Sequence, residues 1–89
     1  MKMLYCVYDL LAREASFLLE QPNDECAIRA LRHPVLSNSQ VDPNELQLYQ
    51  IGVFDSSEPR IVDMVPRLVG NLGALLTAPN PAAAEHDKE

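Results

Sequence analysis

The 89-residue chain reads as a small α+β domain, an antiparallel sheet with one helix packed on a face. Three observations predict it. Two apolar runs each close on an aromatic and an aspartate, LYCVYD (Leu4 to Asp9) and LYQIGVFD (Leu48 to Asp55). Between them NDECAIRAL (Asn23 to Leu31) has the cap and the apolar period of a helix. The length allows one domain, assigned to residues 1 to 77, and folding at this size buries only about 60 to 65 % of the unfolded surface.

Met3 to Tyr8 is almost continuously apolar, rich in Val and Tyr and too short for a helix. It predicts a strand over 3–9, central in its sheet and buried on both faces. Leu10 to Gln21 supports two readings. Leu10, Leu11, Ala12, Arg13 and Glu14 favour helix with Asp9 as cap, whereas Ala15, Phe17 and Leu19 alternate with Ser16, Leu18 and Glu20 as a strand would.

Pro22, Asn23 and Asp24 start a helix over 23–33. Asn23 or Asp24 caps the free amides, and Asp24 and Glu25 complement the positive helix end. Ala27, Ile28, Leu31 and Val35 form the stripe toward the sheet, with Glu25 and Arg29 spaced to pair on the solvent side. Pro34 is expected to end the regular helix near His33.

A second strand is predicted over 46–55, with Tyr49, Ile51 and Val53 on one face and Leu48, Gln50, Gly52 and Phe54 on the other. Gly52 inside it marks a bulge or a close backbone approach. DSSEP is a turn, and 60–65 alternates as another strand until Pro66 interrupts it. Residues 67–77, with Gly70 and Gly73, are either an edge strand or a short helix. Residues 78–89 have no apolar period and are expected to be a disordered acidic tail. The expected core is Leu4, Cys6, Phe17, Leu19, Ile28, Leu31, Leu48, Ile51 and Val53.

The net charge of -6 works against non-specific nucleic-acid binding, which draws on cations that neutralise phosphates. Any positive patch has to be local. Cys6 and Cys26 lack metal-ligand or CxxC spacing and read as reduced core residues. Apolar stretches fall far short of the roughly 18 residues of a membrane span, and no signal peptide is evident. Asp9 and Asp55 end the two strong strands, where aspartates form turns more often than they hold Mg²⁺. His33 and His86 read as solvated. No triad, phosphate loop or zinc site is present in the sequence, so neither an enzyme nor a bound cofactor or metal is expected.

The order of MLYCVYD, FLLEQPNDECAIRAL, DPNELQLYQIGVFD, EPR and PRLVGNL over about residues 1 to 77 resembles the small non-structural protein of gokushoviruses, tail-less single-stranded-DNA phages of the Microviridae. The resemblance implies a hairpin whose second arm lies at 15–20, hence a β-β-α-β-β order. It also implies a role in viral single-stranded DNA synthesis or its coupling to packaging, in the host cytoplasm. The chain departs from the family pattern at DSSEPRIVDMVPRL, which lacks the glycine that commonly closes the turn.

For a DNA contact, Arg29 and Arg32 on the helix and Arg60 and Arg67 on the last hairpin are the candidate phosphate ligands, with Tyr5 or Tyr49 stacking on bases. The plainer reading is that the arginines balance internal charge and the tyrosines fill the core. Two expectations of function follow. One is an accessory protein that contacts single-stranded DNA or the viral replication or capsid-assembly proteins. The other is a homodimeric interaction module that binds a viral or host protein without touching DNA. The thin core favours a homodimer, through the last strand or an exposed sheet face.

Overall fold

The computed structural model describes residues 1–77, so the expected tail at 78–89 lies outside the described residues. The elements run β1 (Lys2–Asp9), β2 (Glu14–Gln21), α1 (Asp24–Leu36), a single 3-10 turn (Pro43–Glu45), β3 (Leu46–Asp55), β4 (Arg60–Asn71) and α2 (Leu72–Thr77). The strands form one antiparallel sheet in the order β2-β1-β3-β4. This is the α+β architecture expected, with β1 central and paired to β3.

Asp9 decides the ambiguous stretch after β1. Its carboxylate accepts from the Leu11 and Ala12 amides at 2.9 and 3.0 Å, and its carbonyl accepts from Arg13 N–H at 2.7 Å. The chain therefore turns, with Arg13 at φ 59°, and returns as β2. Asp55 does the same after β3: Ser57 donates to its carboxylate from N–H at 3.0 Å and Oγ at 2.6 Å. Those bonds hold the Asp55 carboxyl below its usual range.

The Asn23 side chain accepts from Cys26 N–H at 2.9 Å and caps α1. The helix does not stop before Pro34 but runs through it to Leu36. Proline forfeits one amide, yet Ser37 N–H still reaches the His33 carbonyl at 3.0 Å, and Val35 is buried in the core. Packing of that last turn outweighs the local penalty. Pro66 does not end β4 either. It sits in a bulge, where Met64, Val65 and Pro66 stand opposite Ile51 alone, on an edge strand that tolerates a missing donor. Residues 66–71 finish β4, and the remainder forms α2.

Both helices lie on one face. Tyr5 and Val7 of β1 and Leu46 and Leu48 of β3 pack there against Ala27, Leu31 and Val35 of α1 and Leu72 and Leu76 of α2. The expected core is thus right for Leu31 and Leu48, partly right for Leu19 and Ile28, which pack at its margin, and wrong elsewhere. Leu4, Cys6, Ile51 and Val53 are only half-buried, and Phe17 is 59 % exposed. Phe17 adopts φ 53° in a β2 bulge opposite Cys6, the left-handed conformation glycine usually supplies, and its ring leaves the sheet.

A bulge in β3 also breaks its alternation. Tyr5 pairs with Gln50 and Leu4 with Gly52, so Ile51 is skipped, and beyond it Gly52 and Phe54 share the Tyr49 face while Val53 joins the Leu48 face. A Cβ on Gly52 would lie 3.1 Å from the Val62 carbonyl oxygen. Bulge and close approach coincide there.

Candidate interaction surfaces

Three surfaces emerge from this frame. The first is a polar clasp at the start of α1. Asp24 Oδ1 accepts from the Tyr5 hydroxyl and from Arg67 Nη2, each at 2.7 Å, and Arg67 Nε donates to Gln50 Oε1 at 3.0 Å. Gln50 Nε2 in turn lies 3.2 Å from Met3 Sδ. Burial pushes the Asp24 carboxyl up, but the bonds from Arg67 and Tyr5 outweigh it and leave Asp24 below its ordinary value. Burial and the Asp24 bond push the Tyr5 hydroxyl far up. The clasp joins β1, α1, β3 and β4 and borders a cleft of about 440 Å³ lined by Met3, Asn23, Glu25 and the clasp residues.

The second surface is the outer side of α1. Arg29, Arg32, His33 and Leu36 rim a shallow depression there. The Glu25–Arg29 pair expected from helical spacing is not formed, and Arg29 Nη2 lies 3.9 Å from Cys26 Sγ instead.

The third surface is the sheet face away from the helices. The strand registers place Leu4, Cys6 and Tyr8 of β1, Tyr49 and Phe54 of β3, and Ile61 and Leu68 of β4 on it, and the bulged Ile51 lies beside Cys6 and Tyr49. Among the described residues no element packs over it. Tyr8 and Tyr49 meet edge to face with centroids 6.4 Å apart, and the Tyr49 hydroxyl donates to Gln47 Oε1 at 3.0 Å. Together with Cys6, Ile51 and Pro66 they line an apolar depression of about 240 Å³. Its chemistry suits a flat apolar or aromatic group. Burial raises the Cys6 thiol above its ordinary value.

The six candidate residues for DNA do not converge. Tyr5 is 0 % exposed and offers no ring face to a base, so the stacking role expected for it is corrected: adjacent register positions put Tyr5 and Tyr49 on opposite faces. Arg67 is engaged in the clasp. Arg60, at the β3–β4 turn, lies 3.7 Å from Glu58. Arg29 and Arg32 stand together on α1, and Tyr49 stands alone on the bare face. Sequence reasoning missed Gln50 and set Tyr8, also a stacking candidate, behind Tyr5. A register argument would have preferred Tyr8, since the two tyrosines of β1 differ by three positions and must face opposite ways.

Among the described residues no group of three or more His, Cys, Asp or Glu is placed to hold a metal ion, and no helix is long and apolar enough to cross a membrane. Fold and surfaces define a small two-layer protein whose distinctive chemistry is a bare apolar sheet face. The chain belongs to the Phage ORF5 protein family, whose model matches residues 2–75. It is a bacteriophage protein, as the resemblance implied. No curated protein and no solved structure matches it.

Proposed function

We propose that this phage protein is a non-enzymatic accessory factor that works through protein contacts, the bare sheet face being a protein-contact surface and not a nucleic-acid one. The process it serves is the one the gokushovirus resemblance implies: synthesis of viral single-stranded DNA in the host cytoplasm, or the coupling of that synthesis to packaging through the replication or capsid-assembly proteins. One observation carries the contact mode. The aromatic surface and the arginines lie apart, so no face combines stacking platforms with free cations, the pairing that single-strand binding uses. Among the described residues the one cation the registers bring to the bare face is Lys2, and it is 3.1 Å from Glu20.

A second reading, direct contact with single-stranded DNA, is favoured by Arg29 and Arg32, which share the α1 depression with His33 and have no carboxylate partner among the described residues. Titrating labelled single-stranded DNA across a salt series separates the two. The contact reading expects no salt-dependent binding. A linear fall of log affinity with log salt, with a slope reduced by about 0.7 for each of Arg29→Ala and Arg32→Ala, would establish DNA contact in its place.

A further inference from the structure

We infer that the bare sheet face is the twofold contact of a homodimer and that its occupant is a second copy of this chain. The inference rests on the protein-contact reading and names its partner. Four observations converge on it.

The edges are closed to strand addition. β2 is interrupted by the Phe17 bulge, and β4 by the three-residue bulge at Met64 to Pro66, where Pro66 has no N–H to donate. Of the two dimer routes the sequence leaves open, the last strand and a sheet face, the face remains.

The face is apolar where a protein contact needs it to be. Its centre is Cys6, Tyr49 and Ile51, and the charges the registers bring to it are the Lys2–Glu20 pair between β1 and β2 and Asp63 on the edge strand β4. Two copies can meet there without burying an unpaired charge in the middle. A nucleic acid or an acidic partner would find no free cation, and a strongly basic partner no acidic cluster.

The area is sufficient. Four strands about 4.8 Å apart and about 30 Å long present roughly 550 Å² per chain, or roughly 1,100 Å² in a pair. That clears the about 1,000 Å² expected of a biological interface, at the small end of the range. Obligate interfaces are typically larger, about 2,000 Å² or more, so a dissociable dimer is expected.

The sequence of β1 asks for two covers. Met3 to Tyr8 is apolar at every position, the pattern of a strand buried on both faces. The helices cover Tyr5 and Val7 and leave Leu4, Cys6 and Tyr8 half-buried. A second sheet at about 10 Å completes the burial.

Sedimentation equilibrium on the full chain tests this, with circular dichroism as a control for folding. The wild type should pass from the 9.9 kDa monomer to a dimer as concentration rises. Added salt should tighten it, because two chains of charge -6 repel and salt screens them. Ile51→Glu and Leu68→Glu should each weaken the dimer by about tenfold or more while the monomer stays folded. Leu68 is 50 % exposed and so tests the face where the half-buried Ile51 site fails to fold. Alkylation of Cys6 should slow as dimer forms, and that of Cys26 on α1 should not.

A strict monomer to about 500 µM, or a dimer unaffected by both variants with Cys6 equally reactive at every concentration, would overturn the inference. A strict monomer that ignores DNA overturns the homodimer and leaves protein contact standing with a different partner. A monomer that binds single strands with a salt slope overturns both.

Discussion

Asp24→Ala removes the centre of the clasp, and its cost follows from the geometry. The carboxylate holds two donors at 2.7 Å, one on Tyr5 and one on Arg67. The two bonds differ in worth. The Asp24 and Arg67 side chains are 36 % and 45 % exposed, so solvent screening leaves their ion pair about 0 to 1 kcal/mol. Tyr5 is 0 % exposed, and loss of its charged acceptor strands a buried hydroxyl, a cost of about 1.5 to 2 kcal/mol. The total is about 1.5 to 3 kcal/mol. For a domain this size that lowers Tm by about 6 to 24 °C.

Tyr5→Phe removes donor and need together and should cost only about 1 kcal/mol. In the double variant the two losses should overlap, with a coupling of about 1 kcal/mol measured by urea denaturation. The pH dependence has a defined sign. The folded Asp24 carboxyl titrates below its ordinary value of 3.8, so its contribution is complete above that value and is lost as pH falls through the lower folded one. As pH falls below about 4 the wild type should therefore lose more stability than Asp24→Asn. A Tm change under about 2 °C for Asp24→Ala, or strictly additive single and double variants, would refute the clasp as a structural unit.

Three further outcomes are expected. Leu48→Ala, at a site 0 % exposed, should cost about 2 to 5 kcal/mol and leave a domain with about 5 kcal/mol in hand largely unfolded near 37 °C; Ile28→Ala, at the margin of the core, should fall at the low end in the same melt. Phe17→Gly should leave Tm unchanged or raise it, since relief of the left-handed backbone, about 1 kcal/mol, offsets the entropy of glycine. A loss of about 3 kcal/mol or more would return Phe17 to the core. Gly73→Ala should destabilise by about 1 to 3 kcal/mol in chemical denaturation, because the new methyl would land on the Asn44 side-chain carbonyl and 2.9 Å from that of Asn71.

The order of elements was legible because each has a local cause: the Asp9 and Asp55 turns, the Asn23 cap, the apolar runs of β1 and β3. Faces were less legible, since they depend on register and register depends on bulges. One skipped residue at Ile51 exchanged Val53 for Gly52 and Phe54. Nothing in the alternation of β2 announces that Phe17 takes a glycine conformation. Both prolines were read by local rule as terminators, and both are tolerated through context, Pro34 by core packing of Val35 and Pro66 by its place on an edge. Arg67 and Asp24 are 43 positions apart, so the clasp follows only from topology. That is also why a contact set built from residue types alone scattered once the chain was folded.

The misreading of β1 carries more weight than the others. Antiparallel sheets with one solvated face commonly alternate apolar and polar residues along each strand. β1 does not, and β3 puts Tyr49 and Phe54 on the same uncovered side, with Ile51 beside Tyr49. In one chain these positions have no purpose in the core, because both helices lie on the opposite face. Among the described residues a core of nine buried apolar residues is thin, and beside exposed apolar side chains elsewhere, such as Leu11, Leu36 and Val65, the uncovered face holds apolar neighbours side by side: Cys6 against Tyr49, and Tyr49 against Leu68. Single exposed apolar residues need no explanation, but a contiguous patch between blunted edges does. Burial of β1 on both faces is therefore a property of an assembly, and the sequence pattern that fails for the monomer becomes correct once a second sheet covers Cys6 and Tyr49.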